Sequence, residues 1–240
     1  MFAYDSAIQA AIQTPAQSIG DVLQILQTID SICIDRDGLK WFNRLYLQVT
    51  AAVQTRVSAG GFHNPVWLAD LDVQFANIYF LALQNSLAGR KASGCWRALF
   101  ECRQQNAVAR IQFALAGVNA HINHDLPEAI VATCQANGTS PDRGGALYQD
   151  YSDVNSTLDS LIELAKSELM VRLPGDALPA VNHVEDTIAA WSVCAARESA
   201  WQNAEYLWAV RALPAASAGF LNMLDGFTTV IGKALLVPAP

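Results

Sequence analysis

Apolar residues recur every three or four positions along nearly the whole chain, the period of a helix with one buried face. Ser18 can cap a first helix, IGDVLQILQTIDSICI, and a second runs from about Gly38 to Ser58 and ends before Gly60-Gly61. Asn64-Pro65 pairs an N-cap residue with proline at the first helical position, and the helix it opens reaches Gly89. A fourth helix begins near Ser93 and continues through WRALFECRQQNAVARIQFALAGVNAHIN. A short one, PEAIVATCQAN, stops at Gly138, and NGTSPDRGGA is the clearest loop. Further helices are expected over about Asp150 to Arg172, about Val181 to Leu213 after the break LPGDALP, and from Pro214 onward. No alternating strand pattern, internal repeat or low-complexity segment interrupts this reading. The expectation is an all-α, single-domain bundle of about eight helices spanning residues 1–240.

Composition narrows the functional classes. Hydrophobic residues make up 52% of the chain and charged residues 15%, against about 25% charged in an average domain. Such a chain can bury a large core and still have apolar surface for a homo-oligomeric interface. Its net charge of -7 and lack of a basic cluster argue against nucleic acid, whose binding needs cations to displace counterions. The same balance argues against docking on anionic lipid. The N-terminus has no basic segment before its apolar residues and carries Asp5, unlike a secretory signal. The apolar run Val230 to Val237 contains Lys233 and is far shorter than the roughly 20 residues a membrane span needs. Five dispersed cysteines without a CxxC pair read as small apolar residues in a reducing compartment, so a cytoplasmic location is expected.

The stretch GVNAHINHDLPEA breaks the apolar pattern. It holds two of the four histidines, two asparagines and an aspartate. On a helix, His121, His124 and Asp125 fall on one arc as i, i+3 and i+4, and Asn119 and Asn123 fall on another. H-x-x-x-D lets one helix give a metal ion two ligands. Pro127 offers a simpler alternative, in which the helix stops near His124 and Asp125 caps the next one.

Other polar groups sit among apolar neighbours. In DLDVQFAN, Asp70 and Asn77 share a face, while Asp72 points elsewhere with Ala76 and Tyr79. His63 lies just before that helix. Farther on, His183, Ala190, Cys194, Arg197, Trp201 and Trp208 hold one face through spacings of 7, 4, 3, 4 and 7. Arg197 in such a stripe either pairs with a buried carboxylate, such as Glu198, Asp70 or Asp125, or receives an anionic ligand. Asn155, Asp159 and Glu163 are spaced like the Asn/Ser/Glu magnesium triad of class I isoprenoid synthases, but DLDVQFAN is a poor match to their aspartate-rich motif.

The segments LDVQFANIYF, GVNAHINHDLP and AARESAWQNAEYLW resemble a widespread, mainly bacterial family catalogued as a domain of unknown function, with an N-A-H-I-N-x-D-L hallmark. The likeness runs from about Trp41 to Leu213. It marks Asn119, His121, Asn123 and Asp125 as motif positions and implies no activity. H-x-x-x-D is also similar to the helical zinc-dependent phospholipase C and single-strand nuclease group, whose three zinc ions use more histidines than the four present here.

Three functions are consistent with these residues. The first is hydrolysis of a small (phospho)ester-type substrate with a divalent metal, zinc or magnesium, held by His121, Asp125, His183 and His63. His124 or Asp70 would then act as base. The second is a cyclase or isomerase acting on a hydrophobic small molecule such as an isoprenoid or natural-product intermediate, with His/Asp acid–base groups. In either enzyme His121, His124, Asp125, Asp70 and Arg197 are the candidate catalytic residues, and Asn77, Asn119, Asn123 and Trp201 the candidate ligand contacts. The third is a non-catalytic helical binding protein whose polar cluster sets helix register.

Overall fold

The computed structural model describes residues 2–155, 157, 158, 161 and 192–238. These residues form α1 (Asp5–Ala11), α2 (Ile19–Ile32), α3 (Gly38–Ser58), α4 (Pro65–Leu87), α5 (Gly94–Cys102) and α6 (Arg110–Ala120). A π-helical turn (His121–Asp125) follows, then α7 (Leu126–Ala136), α8 (Ala146–Asp153), α9 (Val193–Val210) and α10 (Pro214–Leu235). No strand occurs among the described residues, and the helices pack in one compact arrangement. His183, Asp159, Glu163 and the LPGDALP break lie outside the described residues, as do residues 162–191 of the helices expected around them.

Local chemistry accounts for several helix ends. The Ser18 hydroxyl accepts from Asp21 N at 3.1 Å, the Asp37 carboxylate from Leu39 N at 3.0 Å, and the Asn64 amide oxygen from Trp67 N at 3.0 Å ahead of Pro65. Each satisfies one of the free N–H groups of a helix start. Gly60, Gly89 and Gly138 have φ of 73°, 69° and 64°. They follow α3, α4 and α7, where the chain turns through a left-handed residue that only glycine enters freely.

Two features depart from the periodicity. The helix expected from Ser93 through Asn123 is broken between Cys102 and Arg110. Arg103 turns inward there. Its Nε donates to Asp37 Oδ1 at 2.8 Å, its guanidinium also meets Asp37 Oδ2 and Asp5, and its carbonyl accepts from Gly38 N at 2.8 Å. A buried arginine with two carboxylates pins α1, the start of α3 and the end of α5 together. The next helix restarts at Ala109, where the Gln112 side chain accepts the free N–H at 2.8 Å. A helix at Asp5–Ala11 is also present, outside the expected elements.

α3 crosses α6 closely, α4 lies against α7, α9 packs on α7 and the π turn, and α10 covers α5 and α6. The α3–α6 crossing depends on absent side chains. A Cβ on Gly117 would stand 2.3 Å from the Phe42 ring, and one on Gly38 would stand 2.4 Å from the Phe113 ring. By length and composition α4 could cross a membrane, yet half of its most apolar window is buried among the other helices. The outer face of α10 exposes Met223, Phe227, Val230 and Ile231.

Gly117→Ala is expected to destabilise the fold by about 1–3 kcal/mol, because Phe42 is itself locked in the core. Gly226→Ala on open α10, where a new Cβ meets nothing within 4 Å, should instead stabilise by up to about 1 kcal/mol. Chemical denaturation of both variants checks the contrast.

Candidate functional site

The π turn arises where a helix must pass a proline. Pro127 has no N–H, so the regular bond to the Asn123 carbonyl cannot form. One residue of slack enters, and Leu126 N bonds back to the His121 carbonyl, five residues away. The helix therefore runs on through Pro127, and Asp125 does not act as a side-chain cap. Single π turns inside α-helices recur at functional sites. Here the turn spans His121 to Asp125 and points their side chains at one another.

Asp125 is 0% exposed and lies at the centre of the cluster. Its Oδ2 accepts from His121 Nδ1 at 3.0 Å and from Trp96 Nε1 at 2.9 Å. Its Oδ1 accepts from His124 Nδ1 at 2.8 Å. Burial pushes this carboxyl up, but the hydrogen bonds from His121 and His124 outweigh it and hold it below the usual aspartate range. An ionised Asp125 requires a proton on the Nδ1 of both rings, so each imidazole presents Nε2 outward.

The two rings enter different surroundings. His121 sits in an aromatic cage. Phe75 stacks on it with centroids 3.4 Å apart, Tyr46 meets it edge-on at 4.6 Å, and Phe42, Trp96 and Tyr79 close the remaining sides. Burial lowers its proton affinity more than Asp125 raises it, leaving a neutral ring. Among the described residues its Nε2 is buried without a hydrogen-bond partner. His124 has burial opposing protonation too, but its bonds to Asp125 and Cys95 outweigh that and raise its affinity.

His121 is part of the wall of a cavity of about 760 Å³, counting its mouth. α3, α4, the π turn and α9 supply an apolar lining of Leu, Val and Phe side chains. Its polar members are Tyr46, Asp72, His121 and Arg197. Asp72 Oδ2 is shut from water with no partner among the described residues, and this desolvation raises its carboxyl to about 7. Arg197 Nε donates to Asn155 Oδ1 at 2.6 Å, its NH2 nitrogen donates to the Tyr151 carbonyl at 2.7 Å, and the guanidinium lies over the Tyr151 ring. No carboxylate among the described residues pairs with it; Glu198 goes to Arg143.

The structure brings His121, His124 and Asp125 together, and it puts Arg197 on the cavity of His121. Other candidates stand elsewhere. His63 is on the surface with Nδ1 2.9 Å from Asp150, whose carboxylate also accepts from the His63 and Asn64 backbone. Asp70 is exposed and accepts from Asn137 at 3.0 Å. Asn77 makes two bonds to the Ala16 backbone and holds the α1–α2 connection to α4. Asn123 donates to Asn119, which donates to the Thr228 carbonyl and so ties the helix to α10. Trp201 is buried against Trp67, Tyr148 and Tyr151, away from the cavity. Sequence reasoning missed Tyr46, Trp96 and Asp72. For Asp72 the signal existed, since it shares its arc with Ala76 and Tyr79, both 0% exposed.

Residues 19–238 match a family of unknown function, DUF5995. The chain belongs to that family. No curated protein and no solved structure matches it.

Asp72 gives a pH test of this geometry. Its affinity rises from the ordinary 3.8 to about 7 on folding, so between these values the folded chain binds the extra proton. Its contribution to stability is complete below 3.8 and lost as pH rises through about 7, at a slope approaching about 1.4 kcal/mol per pH unit. Asp72→Asn should remove this loss. Relative to wild type, the variant should gain roughly 2 kcal/mol between about pH 5 and pH 7.5, as read from urea denaturation at each pH.

Proposed function

We propose that this protein is an acid–base enzyme, an isomerase or cyclase, acting on a small and largely hydrophobic molecule held in the His121 cavity. The observation that carries this reading is the unpartnered Nε2 of His121, a residue that lines an apolar cavity. A buried polar atom left without a bond costs about 1–3 kcal/mol, and a substrate proton would satisfy it. Neutral His121 is the base, with Asp125 behind it stabilising the imidazolium that forms. Asp72, protonated up to about neutral pH, is the complementary acid one helical turn before Phe75. A proton leaves one substrate atom for Nε2 and another arrives from Asp72, so the bonding electrons rearrange within the substrate. Two titratable groups whose surroundings shift their proton affinities in opposite directions, Asp72 up and His121 down, suit the acid and base roles. Arg197 would receive a carboxylate or carbonyl end of the molecule.

Hydrolysis by a metal bound to His121, Asp125, His63 and His183, the last outside the described residues, has less support. His63 is held at Asp150, and Asp125 directs both oxygens to N–H donors of the protein.

The test is ligand capture followed by isotope exchange. Hydrophobic carboxylic acids and ketones are screened by thermal shift, and Leu71→Trp, which fills the cavity, should abolish the shifts. Bound ligands in D2O should take up deuterium with wild-type protein. His121→Ala should bind within a few-fold of wild type yet lose about 100-fold or more in exchange rate. The wild-type rate should fall as pH rises past about 7, as Asp72 loses its proton. Binding with equal exchange in wild type and His121→Ala would leave a binding protein and no enzyme.

A further inference from the structure

On the far side of Asp125 from the cavity, His124 meets a second group of side chains. Cys95 lies in the first turn of α5, His124 in the π turn and Asp225 in the middle of α10. One donor atom from each of these three lies within 4.8 Å of the others. The Glu128 carboxylate is 3.7 Å from His124 Nε2 and partly exposed. We propose that Cys95, His124 and Asp225 bind one zinc ion, with Glu128 or a water in the fourth position, independently of any ligand in the His121 cavity.

Four observations support this site. The first is geometry: tetrahedral zinc with bonds of about 2.0–2.3 Å holds donor atoms about 3.4–3.7 Å apart, so loading needs a contraction of about 1 Å. The second is orientation. His124 gives its Nδ1 proton to Asp125 at 2.8 Å, the carboxylate–histidine arrangement that holds a metal-binding ring in the right tautomer. Asp225 is held as firmly: its oxygens accept Gly94 N at 2.9 Å and Cys95 N at 2.8 Å, and each keeps a second lone pair.

The third is charge. Asp125, Glu128 and Asp225 converge on this spot, and among the described residues none of them pairs with a lysine or arginine. No lysine or arginine side chain therefore competes with a divalent ion for these carboxylates. The fourth is the donor set. Magnesium and calcium take oxygen ligands, whereas a sulfur, an imidazole nitrogen and a carboxylate oxygen suit zinc. Cys95 is buried, unpaired to another cysteine, and its sulfur lies 3.4 Å from Ser93 Oγ. Zinc binding expels the thiol proton and the proton on Nε2 to solvent. The partly exposed Glu128 side of the cluster provides the way in.

The test uses the full chain, purified without a metal-affinity tag or chelator. Elemental analysis should find one zinc per chain after exhaustive buffer exchange. Cobalt(II) loading should give a thiolate-to-cobalt charge-transfer band in the near ultraviolet. Cys95→Ser should lose that band and bind zinc at least tenfold more weakly. Asp225→Asn should keep the band with weaker affinity, and His121→Ala should keep both band and affinity. Circular dichroism confirms that each variant is folded, and the wild-type band stands as evidence even if one variant is not. Absence of stoichiometric zinc or cobalt binding by the wild-type chain, or a band that survives Cys95→Ser, would overturn the proposal.

Discussion

The site rests on one buried carboxylate. Asp125 is wholly out of water, where an isolated charge would be prohibitively costly. Three N–H donors, from His121, His124 and Trp96, make it tolerable. The same bonds decide what the donors can do. They place the proton of both imidazoles on Nδ1 and aim two Nε2 atoms in different directions. Trp96 brings α5 against the π turn, so the carboxylate also ties two helices to the site. Removing this one group would leave three buried donors unsatisfied and both rings free to change tautomer.

The two rings share a partner but not an environment. Around His121 the neighbours are aromatic and, among the described residues, no second acid touches it, so it stays neutral with an unpartnered lone pair on Nε2. Around His124 the neighbours are a thiol and carboxylates, which favour a cation, whether a proton or a metal ion. The proposed proton transfer and the proposed metal binding would both draw on this one arrangement, through the low dielectric on one side and the excess of negative donors on the other.

Much of the fold was legible in the chain because helix signals are local. Ser18, Asn64-Pro65, Gly60, Gly89 and Gly138 mark ends that depend on a few neighbouring atoms. The all-α class follows from a period repeated across the chain. The break after Cys102 was not legible, since the surrounding sequence is an acceptable helix. It occurs because Arg103 meets Asp5 and Asp37, the nearer of them 66 residues away.

The same division applies to the site. His121 and Asp125 could be read as partners from their spacing, because i and i+4 positions meet on any helix. Sequence alone therefore determined the helical class, several of the helix ends and the His–Asp pair. It could not place His63, Asp70 or Asn77, whose partners lie 61 to 87 residues away in sequence. Nor could it find Asp72 lining one cavity with His121, or Cys95 and Asp225 beside His124. Only packing decided those neighbours, because which polar group lacks water and a partner depends on the helices laid over it.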